Sequence, residues 1–156
     1  MTRTLLSWSA LVVLAFSLVA APSASARSDE AARLQMVWPA QGTVTSHFGE
    51  RGGRHAGIDI GMLRTLRLRA VTEGVVKKVG YVGGYSGYGK IVLLDLPGPY
   101  TALYAHLSHV GVRVGQKVRK GQRLGLAGCT GSCSGTHLHF EIERRGLPVD
   151  PMRYLG

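Results

Sequence analysis

From Trp38 onward, glycine cuts the chain into short β-prone runs, and this punctuation constrains the fold more than any other feature. The clearest runs are GTVTSHF, GIDIG, EGVVKKVGYV, GKIVLLDL, YTALYAHL, GQKVRKGQRLG and THLHFEIE. They are rich in Val, Ile, Tyr and Thr, and Gly or Pro bounds nearly every one. Such side chains suit a pleated, half-buried surface, whereas a glycine inside a helix costs about 1 kcal/mol relative to alanine. No window carries a long, capped helical period; LRTLRLR comes nearest, but it is short and runs straight into a β-like stretch. There is no internal repeat and no sign of a second domain. The expected architecture is all-β, with short strands in compact antiparallel sheets and little helix.

Residues 1–26 read as an export signal: Arg3, an apolar run from Leu5 to Ala20, and SASA, which sets a cleavage site after Ala26. The apolar run is short for a bilayer span, which takes about 20 apolar residues. An uncleaved anchor is the alternative. Residues 27–36, RSDEAARLQM, read as a polar tether, and residues 37–156 as one domain. The expected location is the periplasm or the cell wall and extracellular space, with membrane contact only during export. All 9 acidic residues and all but one of the 19 Lys and Arg lie beyond the signal, within a chain of net charge +10. That balance concentrates a protein near polyanions. An exported chain without an RNA-binding signature is not expected to meet nucleic acid, so an anionic wall or surface is the better partner. A generally solvated basic surface is the plainer reading. Cys129 and Cys133, in CTGSC, are expected to pair in an oxidising compartment, the alternative being two buried thiols. So short a loop would be shaped by the bridge rather than hold the fold together.

Alternation in GTHLHFEIERRG puts His137, His139, Glu141 and Glu143 on one face and Leu138, Phe140 and Ile142 on the other. Same-face neighbours on a strand lie about 6.6 Å apart, so His137 and His139 can reach one spot. His55 and Asp59, in GRHAGIDIG, would be about 13 Å apart on a regular strand, so they can meet only through a turn at Ala56–Gly57. His106 ends the alternating run YTALYAHL. Singly, each has a bland reading: a solvated strand face, ordinary loop polars, a histidine at a strand end. Together they admit three metal readings. A structural zinc site could use Cys129, Cys133, His137 and His139, though the His-x-His spacing is tighter than in finger-like sites. An oxygenase-type site could use the His pair with Glu141, but no later histidine completes it. A catalytic zinc could take three ligands from separate segments and keep an open position.

The stretches SHFGERGGRHAGIDI, YAHLS and GCTGSCSGTHLHFEIE, in that order, resemble the signature set of the M23 zinc metallopeptidases, the lysostaphin/LytM-type peptidoglycan endopeptidases. The resemblance runs from about Val37 to Leu155. It implies an antiparallel fold around a groove, with Zn2+ held by His55, Asp59 and His139. It implies His106 and His137 as the catalytic histidines that do not bind the metal. The implied reaction is hydrolysis of amide bonds in peptidoglycan peptide crosslinks by a zinc-bound hydroxide, and a monomer is expected. The alternative is a non-catalytic module of the same kind that binds the wall or activates a murein amidase. Modules of that type have lost zinc ligands, whereas all five key residues are present here. Glu141 and Glu143 read as a solvated face, with ligand orientation as the alternative. The chain departs from the pattern at Cys129, Cys133 and Thr136, and in GMLRTLRLRAV, which adds three arginines expected near the metal side.

Overall fold

The computed structural model describes residues 35–156, so the signal and most of the tether lie outside the described residues. The strands are β1 (Thr43–Ser46), β2 (Ile58–Gly61), β3 (Arg67–Arg69), β4 (Gly74–Tyr81), β5 (Lys90–Asp95) and β6 (Tyr100–Ala105). They continue with β7 (His109–Val110), β8 (Lys117–Val118), β9 (Arg123–Leu126), β10 (Leu138–Arg144) and β11 (Leu147–Val149). One sheet runs β1-β2-β10-β6-β5-β4-β8, with β11 also on β10, and a smaller one runs β3-β9-β7. All of these strand pairings are antiparallel. Helical structure among the described residues amounts to a distorted turn, α1 (Glu50–Gly53), and a 3-10 turn at Pro151–Arg153. The all-β expectation is therefore met. LRTLRLR forms no helix: Arg67–Arg69 pairs with β9 and buries Leu68 completely. Alternation beats helical propensity because only a strand sends Leu68 inward while its arginine neighbours point out.

Strand β10 organises the molecule. Leu138, Phe140 and Ile142 are fully buried on its core face, with the Phe140 ring 5.1 Å from that of Tyr104 on β6. Each such side chain stabilises the fold by about 2 to 3 kcal/mol through burial. Gly57 lets the chain pass against β10, since a Cβ there would collide with the Phe140 carbonyl. The opposite face of the same sheet is covered too. Over Ile91, Leu93, Leu103 and Ala105 lies a lid of Val82, Tyr85 and Tyr88, from the glycine-rich connection between β4 and β5. The fold also begins earlier than the sequence reading placed it. Met36, assigned to the tether, is fully buried and bridges Leu155 in parallel fashion.

Candidate metal centre

Three neighbouring strands build the site. Asp59 on β2 is the register partner of His139 on β10, and His139 is in turn the partner of Ala105 on β6, just before His106. The turn through Ala56 and Gly57 folds His55 back over Asp59, placing its Nε2 3.1 Å from Asp59 Oδ1. The Nδ1 of His139 lies 2.7 Å from the same oxygen and 3.2 Å from His55 Nε2. His55, Asp59 and His139 are all buried, and their three donor atoms lie within 4.8 Å of one another. This group can hold a metal ion.

The rings are aimed by their second nitrogens. His55 Nδ1 lies 2.6 Å from the His47 carbonyl, so it carries the proton and leaves Nε2 facing inward. His139 Nε2 lies 2.8 Å from Glu141 Oε1, which leaves Nδ1 facing Asp59. Partners of this kind fix the tautomer of a metal-binding imidazole. Burial by itself would push the His139 pKa down, but the carboxylates of Asp59 and Glu141 outweigh it and raise the pKa to about 9. Burial would likewise raise the Asp59 carboxyl, yet His139, His55 and Arg51 hold it well below the usual carboxylate range. The pocket thus favours a positive charge between two carboxylates. Two imidazole nitrogens and one carboxylate oxygen are also the donor set of three-ligand zinc sites that keep an open position.

His106 and His137 stand beside this group with one nitrogen each uncommitted. His106 Nδ1 donates to the Thr130 carbonyl at 2.8 Å, and His137 Nδ1 to that of Gly135 at 2.7 Å. Their rings are 4.7 Å apart, and His137 Nε2 is 3.9 Å from Asp59 Oδ1. His106 has φ 62, a left-handed conformation that is uncommon for a residue with a Cβ and is met at functional sites. Burial, reinforced by the neighbouring His137 and His139, lowers its pKa below 6.5 despite the Thr130 bond.

Glu141 is not on a solvated face. It is only 3% exposed and accepts a 2.7 Å hydrogen bond from the Tyr88 hydroxyl while holding His139. Its alternation with Phe140 and Ile142 was visible in the sequence; the Tyr88 lid that buries it was not. Glu143 is partly buried and accepts from Thr101 at 3.0 Å. Cys129 and Cys133 form a disulfide, which removes them as metal ligands. Their loop presents Thr130, whose hydroxyl donates to the Leu107 carbonyl and accepts from the Lys90 amide, each at 2.9 Å. The arginines of GMLRTLRLRAV are not at the metal side: an open cleft of about 870 Å³ over the site is lined by Arg51 and Arg54, but not by Arg64, Arg67 or Arg69. His47 contributes only its carbonyl to the site, and His109 lies on β7 in the smaller sheet.

Similarity to known proteins is of two kinds, in sequence and in fold. The chain is 39% identical over 119 residues to the "Lipoprotein NlpD/LppB homolog" of Pseudomonas aeruginosa and 37% identical over 135 residues to the "Murein hydrolase activator NlpD" of Salmonella dublin. Those alignments take in 76% and 86% of this chain but only 39% and 35% of the relatives, so the chain spans little more than a third of their length. Among solved structures, a zinc-containing peptidase from Vibrio cholerae superposes with a TM-score of 0.65 at 32% identity, over 76% of this chain and 38% of that one. Lysostaphin from Staphylococcus simulans does so with a TM-score of 0.65 at 26% identity, over 76% and 52%. The description "Peptidase family M23" matches residues 53–151, well over half of the chain and inclusive of His55, Asp59, His106, His137 and His139. By that match the protein belongs to peptidase family M23.

Proposed function

We propose that the protein is an exported zinc endopeptidase that hydrolyses amide bonds in the peptide crosslinks of peptidoglycan, with residues 1–26 as its signal. The observation that carries this reading is the convergence of His55 Nε2, His139 Nδ1 and Asp59 Oδ1 beside two histidines with free ring nitrogens. Bound to this group, Zn2+ would polarise the scissile carbonyl and lower the pKa of water toward neutrality. His106 and His137 then handle the proton: one neutral imidazole accepts it from the attacking water and returns it to the leaving amine. The other, as imidazolium, stabilises negative charge on the carbonyl oxygen. The lowered pKa of His106 suits it to the neutral, accepting role. Tyr88 faces the same cleft, and burial together with its bond to Glu141 raises its hydroxyl pKa, so it stays a donor.

The name of the Salmonella relative favours a second reading, a module that activates a murein amidase and cleaves nothing itself. Loss of metal ligands would support it, and here the complete set is present and buried. Zinc-loaded protein incubated with defined crosslinked muropeptides and followed by mass spectrometry separates the two. Fragments that disappear on chelation and in His55→Ala establish the peptidase. Intact muropeptides together with faster turnover by an added amidase establish the activator.

A further inference from the structure

Among the described residues, Asp59 is the only carboxylate lining the cleft, and the candidate metal group uses it; the same cleft is lined by two arginines, Arg51 and Arg54. Both come from α1 and its C-terminal cap, whereas His106 and His137 enter from just beyond β6 and from the loop before β10. The backbone of this turn is unusual. Arg51 sits at φ 61, with Gly49 at 80, Gly52 at 70 and Gly53 at 82. A left-handed conformation is unfavourable for a residue with a Cβ, and its retention at a site edge points to a task for that side chain. The turn brings Arg51 back over Asp59, with Nη2 2.6 Å from Oδ2, while His55, His137 and His139 face Oδ1. Arg54 is fixed in turn by a 3.2 Å bond from its Nε to the Arg51 carbonyl. Arg54 makes no other side-chain hydrogen bond or ion pair among the described residues, and it lines the open cleft.

We propose that Arg54, with Arg51 beside it, forms a subsite for a carboxylate on the substrate peptide. The proposal rests on the peptidase reading and specifies its substrate: a peptide carrying a free carboxylate close to the scissile amide, in preference to a neutral glycine-type bridge. The planar guanidinium fork matches a carboxylate with two parallel hydrogen bonds, which a neutral carboxamide cannot accept in the same way. Among the described residues no carboxylate is paired with Arg54: Asp59 is held by Arg51 and the histidines, and Glu50 accepts from Ser46. An acidic peptide anchored there extends from the arginine edge across the metal group toward His106 and His137.

The test uses a D-alanyl–diaminopimelate crosslinked muropeptide with its carboxylate free, and the same compound with that carboxylate converted to the carboxamide. The zinc-loaded wild type is expected to prefer the free acid by about tenfold in kcat/KM, as one charge-assisted contact would give. Arg54→Gln should abolish the preference through KM, with kcat and zinc content kept, and Arg54→Lys should restore part of it. Arg51 is left in place because it also holds Asp59. Equal kcat/KM for acid and carboxamide in the wild type, or a preference that survives Arg54→Gln, would overturn the subsite while leaving the peptidase intact. Binding of both compounds to uncleaving His137→Ala protein, by calorimetry, decides the subsite separately from turnover. Tighter binding of the acid, lost on adding Arg54→Gln, supports it even if no amide is cleaved; equal binding overturns it.

Discussion

Glu141 Oε1 lies 2.8 Å from His139 Nε2, two positions back on the same strand, and so turns the other ring nitrogen of His139 toward Asp59. A carboxylate behind a ligand histidine raises its basicity as well as fixing its orientation. Glu141→Gln keeps the size and an accepting oxygen but removes the charge, and should weaken zinc binding about 10- to 100-fold. Competition against a chelating dye measures this directly. An unchanged affinity would mean that β10 alone orients the ring.

Roles within the His137/His139 pair separate by metal content. His137→Ala and His106→Ala should each keep zinc near one equivalent and lose turnover by roughly 10²- to 10⁴-fold, the usual scale of a positioned acid or base. His139→Ala should lose the metal. Elemental analysis alongside muropeptide hydrolysis reports both quantities, and a metal-free His137→Ala protein would make His137 a ligand.

The disulfide should matter more to turnover than to stability. It closes the loop from Cys129 to Cys133, and the chain-entropy cost of losing so short a closure is about 2 kcal/mol. Inside that loop, the Thr130 carbonyl orients His106. Replacing both cysteines by serine should lower Tm modestly, leave zinc content unchanged, and reduce kcat because His106 is less well held. Equal kcat with and without the bridge would show that the two hydroxyl contacts of Thr130 suffice to fix the loop.

Activity should extend to mildly acid pH. Burial and its histidine neighbours place the His106 pKa below 6.5, so the ring stays neutral, and able to accept a proton, at pH values where an exposed histidine is already charged. The same shift has a sign for stability. The unfolded chain takes up this proton first as pH falls through 6.5, so the contribution is complete above that pH and is lost on descending toward the lower folded value. The acid limb of kcat/KM against pH should therefore lie below 6.5. A limb above that value would assign proton acceptance to another group.

The strand character of the chain was legible because Leu138, Phe140 and Ile142 alternate with polar residues and glycine bounds each run. The turn that joins His55 to Asp59 was legible as well, since no regular strand could bring them together. The burial of Glu141 was not. It depends on a lid from the segment holding Val82, Tyr85 and Tyr88, whose glycine-rich sequence has no period to place it over β6. The arginines after Gly61 misled for a related reason. Their strand joins the smaller sheet with β9, and nothing local in the sequence states which strand pairs with which. Met36 lies in a polar stretch, and only its bridge to Leu155 at the far end of the chain brings it into the fold.

The pairing of Asp59 with His139 joins residues 80 positions apart through a single hydrogen-bond register. A slip of one residue in β10 would send His139 into the apolar interior and push Phe140 out over the cleft, because strand side chains alternate strictly. Misalignment would therefore be penalised twice, by a polar ring stranded among leucines and by a large apolar ring in water. The oily face of β10 and its polar face proofread each other, so a chain that folds in the correct frame is also a chain whose candidate site is assembled.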